Sequence, residues 1–283
     1  MQETIGWIGL GSMGHRMSRH LGNAGYPLLV ADAASTERAP KGANIAKTNA
    51  EVAARAATIF LSLPDGVVSQ TVARELATAP NRKAKTVIDT STIGIEAAQA
   101  CSTLLAASGI EYIDAPVSGG TVGAAQGTLA IMAGGLAEDL ESVAPVFQAL
   151  GTVTHVGPHG RGQLCKLVNQ TIVAVTIGAV AEGMVLAKAG GADPAQVRKA
   201  ILGGFCQSRI LEEHGQRMID RNFVPGGAVR NQLKDLDAVL EVARKVGVHL
   251  PLTERVRDQF AALARSGKED LDHSALILQV EAE

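Results

Sequence analysis

The sequence predicts an α/β protein in two parts. A doubly wound parallel sheet is expected over residues 1–161, followed over residues 162–283 by an all-α domain built around one long helix. Three observations carry that expectation. Short apolar runs alternate with amphipathic segments through the first half. A glycine-rich turn joins the first apolar run to the first helical segment. Beyond Gly162 strand signals stop and helical spacing takes over.

In order, 5–8, 28–31, 58–63, 86–89, 112–114 and 129–133 read as strands, with helices at 13–24, 51–56, 67–77 and 95–108. Ligands of such sheets bind beyond the carboxyl ends of the strands. Three loops qualify: Leu63-Pro64-Asp65, Thr90-Ser91-Thr92 and Pro116-Val117-Ser118-Gly119-Gly120. In the second half, 164–189 reads as one helix roughly 39 Å long, apolar nearly all round and therefore expected to be buried, with a stop at Gly190-Gly191. Further helices are expected at 194–202, 208–220, 232–246, 253–265 and 274–280, and a hinge at 155–162.

Gly9-Leu10-Gly11-Ser12-Met13-Gly14 is the most specific local signal. Gly9 permits a tight strand-to-helix turn, Gly11 lets the main chain approach a pyrophosphate, and Gly14 allows close helix packing. The pyrophosphate then meets the unpaired N–H groups at the positive end of the helix dipole. Eighteen residues on, Asp32 closes the second strand, where a carboxylate accepts both ribose hydroxyls and repels a 2′-phosphate. Ala33, Ala34, Ser35 and Thr36 follow, with no arginine before Arg38, so the expected cofactor is NAD, with NADP less favoured.

Bulk properties narrow the class. The chain has 283 residues, 46% of them hydrophobic and 3% aromatic, so its core must rest on Ala, Val, Leu and Ile. A net charge of −2 implies no nucleic-acid surface. Three unpaired-looking cysteines, Cys101, Cys165 and Cys206, suit a reducing cytoplasm. Met1-Gln2-Glu3-Thr4 leads straight into a strand, so no targeting peptide is expected. The most apolar run, 171–181, is judged too short to span a bilayer. The histidines show no ligand spacing and no metal is expected.

Lys166 and Asn169 lie three apart near the start of the long helix, on one face. A lysine facing the nucleotide would be discharged by desolvation and by the cationic ring, making it a general base for a hydroxyl proton. The alternative is an ordinary solvated lysine. Ser118-Gly119-Gly120 reads either as an anion cradle for a substrate carboxylate or as a plain tight turn. Lys234-Asp235 by itself reads as a surface ion pair.

Four blocks, taken together, resemble the β-hydroxyacid dehydrogenases. They are the glycine hexapeptide at 9–14, Asp114-Ala115-Pro116-Val117-Ser118-Gly119-Gly120, Gly162-Gln163-Leu164-Cys165-Lys166-Leu167-Val168-Asn169, and Lys234-Asp235-Leu236. The resemblance implies a Rossmann-type domain followed by a helical domain through which copies associate as a homodimer or homotetramer. It implies Lys166 as catalytic acid/base and Asn169 orienting substrate. Ser118, Gly119 and Gly120 would hold the substrate carboxylate, and Leu63, Pro64, Thr92 and Lys234 would touch the cofactor. The stretches Asp220-Arg221-Asn222-Phe223, Leu250-Pro251-Leu252-Thr253 and Asp272-His273-Ser274-Ala275-Leu276 look most like the tartronate semialdehyde reductases of that family. Gly227-Ala228-Val229-Arg230 and Phe205-Cys206-Gln207 depart from them, and Arg230 is read as a solvated side chain. A 3-hydroxyisobutyrate dehydrogenase activity, an imine-reducing relative and a non-catalytic cofactor-binding module are the competing readings.

Overall fold

A computed structural model describes residues 3–283; Met1 and Gln2, on which part of the targeting argument falls, lie outside it. Four apolar strands open the sheet, β1 (Ile5–Ile8), β2 (Leu28–Ala31), β4 (Thr58–Leu61) and β5 (Thr86–Asp89), with a two-residue β3 (Asn44–Ile45) at its edge. They pair in parallel with β6 (Glu111–Asp114) in the order β3-β2-β1-β4-β5-β6. The chain thus reverses direction across the sheet between β1 and β4, where the loops after adjacent strands diverge and leave a crevice for a ligand. Alternate residues of each strand serve opposite faces. Ile5, Trp7, Val30, Phe60 and Ile88 enter one core, while Ile8, Leu29, Ala31, Ile59, Leu61 and Val87 enter the other. Few as they are, the aromatics concentrate inside: Trp7 stacks on Phe60 at 5.2 Å and Phe60 meets Phe147 edge-on.

The helices between these strands are α1 (Gly14–Asn23), α2 (Asn49–Arg55), α3 (Gly66–Thr78) and α4 (Ile95–Ala106). Thr48 and Asp65 cap the second and third by accepting N–H bonds from Glu51 and Val68. Past β6 the sheet turns mixed. β7 (Val117–Ser118) runs antiparallel to β8 (Leu129–Gly134), and β9 (Gly151–Gly157) runs parallel to β8. Two helices absent from the sequence reading, α5 (Gly120–Gln126) and α6 (Ala137–Phe147), connect them.

The stretch 155–162, expected to be a hinge, holds the end of a strand and the start of a helix. Residues 155–157 belong to β9, and the next helix starts at Arg161. Thr152 and Thr154 break the apolar run of a half-covered edge strand, which hid it in the sequence.

That next helix is α7 (Arg161–Ala189), closed by Gly191 at φ +80°. Backbone proximity groups everything up to Lys166 into one compact unit and everything from Leu167 into another. The sequence predicts the division at 161/162. Within the second unit, Ala174, Ile177, Ala181 and Met184 of α7 pack on Ala275 and on residues from four helices. These are α9 (Arg209–Asp220), α10 (Val229–Lys245), α11 (Pro251–Leu263) and α12 (Leu276–Val280); α8 (Pro194–Ile201) completes the unit. The expectation that α7 is buried all round does not hold, because Val168, Ile172 and Leu186 are exposed. The apolar run 171–181 sits inside the longer α7, which has 29 residues. By length and composition α7 is apolar enough to cross a membrane, a property that a core helix of a helical domain shares.

Candidate active site

The turn after β1 is shaped by contacts no side chain could tolerate. Gly9 has φ +98°, and a Cβ there would lie 2.2 Å from the Ser62 carbonyl oxygen. A Cβ on Gly14 would lie 2.0 Å from the Gly9 carbonyl oxygen, so Gly14 lets the start of α1 close on the turn itself. A Cβ on Gly11 would meet nothing within 4 Å. The helix begins at Met13 and Gly14 with no side-chain cap and no acidic residue in its first turn, which leaves its positive end to an anion. Asp32, just past β2, accepts N–H bonds from Leu10, Ala34 and Ser35 at 2.5, 2.7 and 2.9 Å. Partial burial opposes its charge, but these bonds outweigh it, Arg38 adds attraction, and the carboxyl is held below its ordinary range. The glycine turn, its uncapped helix and this anchored carboxylate fit a dinucleotide.

The loops after β4 and β5 are tied together. Ser91 Oγ accepts the Leu63 N–H at 2.7 Å, and the Ser91 N–H donates to Asp89 at 2.9 Å. Pro64 is exposed and Thr92 half-buried beside them. Asp89 itself is buried, with its pKa raised by desolvation against the hydrogen bonds it accepts. Next to it in register stands Asp114 at the end of β6. Burial pushes Asp114 up to about 6, although it accepts N–H bonds from Gly160 at 2.7 Å and Gln163 at 2.9 Å that favour its charge.

Lys166 lies on the second turn of α7 and is 8% exposed, which removes the ordinary solvated-lysine alternative. Ser118 ends β7, and Gly119 and Gly120 follow with φ +130° and +60° at the start of α5.

In the helical unit a chain of bonds joins the other sequence-selected residues. Asn169 Nδ2 donates to Gln170 Oε1 at 2.8 Å, and Gln170 Nε2 donates to Asp235 Oδ2 at 2.6 Å. Lys234 Nζ stands 3.7 Å from Asp235 Oδ1. Asp235 is thus buried and bonded to α7, so the dipeptide is more than a surface pair. Arg230 is ion-paired with Asp270 at the surface rather than simply solvated. Phe205 and Cys206 are exposed in the segment between α8 and α9.

Sequence reasoning missed Asp114 and Gln163 as site-building residues, since a buried Asp or Gln declares its partners only in the fold. It also missed a cluster of His214, Asp272 and His273. Asp272 accepts the N–H groups of Gly226 and Gly227 on one oxygen and the N–H and hydroxyl of Ser274 on the other, where Arg217 also pairs with it at 3.3 Å, so its lone pairs are already engaged by the protein.

Residues 4–157 match the family model described as the NAD binding domain of 6-phosphogluconate dehydrogenase. Residues 160–280 match that described as NAD-binding of NADP-dependent 3-hydroxyisobutyrate dehydrogenase. The chain is 40% identical over 282 residues to the 2-hydroxy-3-oxopropionate reductase of Escherichia coli (strain K12), covering 98% of this chain and 97% of that one. It is 34% identical to the 2-(hydroxymethyl)glutarate dehydrogenase of Eubacterium barkeri, covering 96% and 93%. The solved structure of Mycobacterium tuberculosis 3-hydroxyisobutyrate dehydrogenase with L-serine superposes with a TM-score of 0.90 at 30% identity, covering 99% of each chain. The chain belongs to the β-hydroxyacid dehydrogenase family, with a Rossmann-type NAD(P)-binding domain and a helical domain.

Proposed function

We propose that the protein is an NAD(H)-dependent oxidoreductase that interconverts a small β-hydroxy acid and its semialdehyde, of the glycerate and tartronate semialdehyde type, with Lys166 as general acid/base. The carrying observation is the burial of Lys166 one turn after Gln163, whose side chain holds the loop containing Thr92. The likeness to 2-hydroxy-3-oxopropionate reductase, at 40% identity, supports the substrate type.

When bound, the nicotinamide accepts or returns the hydride. The chain's residues do the rest. The backbone of Gly9, Leu10, Gly11, Ser12, Met13 and Gly14 receives the pyrophosphate. Asp32 exchanges backbone donors for ribose hydroxyls, while Leu63, Pro64, Thr92 and Lys234 contact the cofactor. Ser118, Gly119 and Gly120 hold the substrate carboxylate, and Asn169 orients the reacting oxygen by its amide. Neutral Lys166 takes the hydroxyl proton during oxidation, and its ammonium returns a proton to the carbonyl oxygen during reduction.

The cofactor is assigned as NAD because an ionised Asp32 repels a 2′-phosphate. Activity with the two cofactors at equal concentration tests this, and a clear NADP preference overturns it. The reading also has copies associating through the helical unit, where Val168, Ile172 and Leu186 offer apolar surface, and a cytoplasmic location consistent with three free cysteines. A second reading, 3-hydroxyisobutyrate dehydrogenase, draws on the TM-score of 0.90 to that enzyme.

A panel of small hydroxy acids and semialdehydes followed by nicotinamide absorbance separates the two substrate readings. In the same assay Lys166→Ala should cut turnover by roughly two to four orders of magnitude while cofactor binding survives. Near-normal turnover would remove Lys166 from its role.

A further inference from the structure

We infer that Gln163 is a positioning residue that locks the first turn of α7 to the loop after β5, so that Lys166 and Thr92 are set by one hydrogen-bonded clamp. The inference rests on the proposed role of Lys166. Gln163 is 1% exposed, and its side chain is committed to backbone. Its Oε1 accepts the N–H groups of Ile93 at 3.0 Å and Gly94 at 3.2 Å, and its Nε2 donates to the Ser91 carbonyl at 2.9 Å. One amide thus uses donor and acceptor together against a single loop, a pairing that fixes its orientation as well as its place.

The backbone of the same residue is held from the other side. Its N–H and that of Gly160 are among the donors that a helix start leaves without partners in the helix, and they bond to the two oxygens of Asp114. Gly162 between them permits this approach. A Cβ there would lie 2.4 Å from the Met132 carbonyl oxygen and 2.5 Å from that of Asp114. The first turn of α7 is therefore pinned on two faces, by Asp114 from β6 and by the 91–94 loop from β5.

Lys166 follows Gln163 by three residues, so the two side chains neighbour one another on the helix surface. Any rotation or fraying of the first turn carries the amine with it. The clamp continues outward, since Ser91 also accepts the Leu63 N–H through its hydroxyl. Leu63, the loop bearing Thr92 and the helical turn that leads to Lys166 are thus parts of one network, with Gln163 as the joint. A displacement of about 1 Å at a reacting group can cost on the order of a hundredfold in rate, which sets the scale of the joint's importance.

The test uses full-length Gln163→Leu and Gln163→Glu beside Lys166→Ala, assayed in the direction of semialdehyde reduction. Both Gln163 variants should lower kcat by roughly ten- to a hundredfold with a much smaller change in KM. The Gln163→Glu protein keeps the acceptor for Ile93 and Gly94 but loses the donor to Ser91, and protonation restores it. Its kcat relative to the unaltered protein should therefore rise as pH falls. The Gln163→Leu ratio should stay flat. Asp114 on β6 accepts the Gly160 and Gln163 N–H groups, Asp89 on β5 accepts the Ser91 N–H, and Lys166 follows one turn along α7; these titratable groups are shared by all Gln163 proteins compared.

Unchanged kcat in both variants overturns the inference, as does a Gln163→Glu loss that is the same at every pH. Should Gln163→Leu fail to fold, the pH ratio of Gln163→Glu alone decides. Near-normal turnover in Lys166→Ala sinks the parent reading instead. Loss in Lys166→Ala with no effect at Gln163 sinks only the clamp.

Discussion

Replacing Asp114 by Asn should change how stability depends on pH, by an amount the structure sets. The carboxyl is fully buried, and desolvation raises it from 3.8 to about 6 even with two N–H bonds favouring its charge. A group that binds its proton more tightly when folded adds stability while both states are protonated, below its unfolded value. That contribution is lost as pH rises through the folded value. A shift from 3.8 to about 6 corresponds to about 3 kcal/mol. The unaltered protein should therefore lose about 3 kcal/mol relative to Asp114→Asn between about pH 4 and pH 7.

The variant also carries a cost that does not depend on pH. Gly160 and Gln163 donate to different oxygens of Asp114, so an amide leaves one N–H facing an NH2 group. That mismatch costs about 1–3 kcal/mol. Unfolding both proteins by denaturant across this pH range separates the two effects, because the mismatch moves the whole curve while ionisation changes its slope. Curves that stay parallel would refute the argument that Asp114 is a buried acid whose ionisation the fold must bear.

Four further outcomes are expected. Gly14→Ala drives a methyl to within 2.0 Å of the Gly9 carbonyl and should disrupt the glycine turn, whereas Gly11→Ala meets open space and should fold normally yet bind the dinucleotide poorly. Melting temperature and cofactor titration together check this, and equal behaviour of the two variants would contradict it. Lys166→Arg retains a cation that does not release its proton, so turnover should stay near that of Lys166→Ala across the pH range; recovery of turnover would argue for a purely electrostatic role. Asp32→Ala should weaken NAD and narrow its advantage over NADP, measured as the ratio of the two dissociation constants; an unchanged ratio would remove the ribose contact. Asp235→Ala leaves the buried Gln170 amide without its acceptor and should cost about 1–3 kcal/mol in denaturant unfolding; no loss would return Lys234-Asp235 to the status of a surface pair.

Much of this protein was legible without coordinates because its signals are local. A glycine that must take φ +98°, an apolar run of four and a carboxylate at a strand end are properties of neighbouring residues, and they placed β1, β2, β5, the glycine turn and Asp32 correctly. Lys166 and Asn169 came from spacing along one helix together with the family resemblance. The short or half-covered elements escaped: β7 has two residues, and β9 has only half-buried and exposed positions along an edge. The exposure of Val168 and Ile172 escaped as well, since an apolar helix looks the same in sequence whether or not neighbours cover every side.

What the linear chain determined, then, was the set of residues with unusual backbone or chemical demands. Only the tertiary structure decided how they act together. Asp114 and Gln163 are 49 residues apart and Gln163 and Ser91 are 72 apart, yet their bonds define where the first turn of α7 sits. Hydrogen bonds between distant segments depend on sheet order and register, which no local pattern encodes.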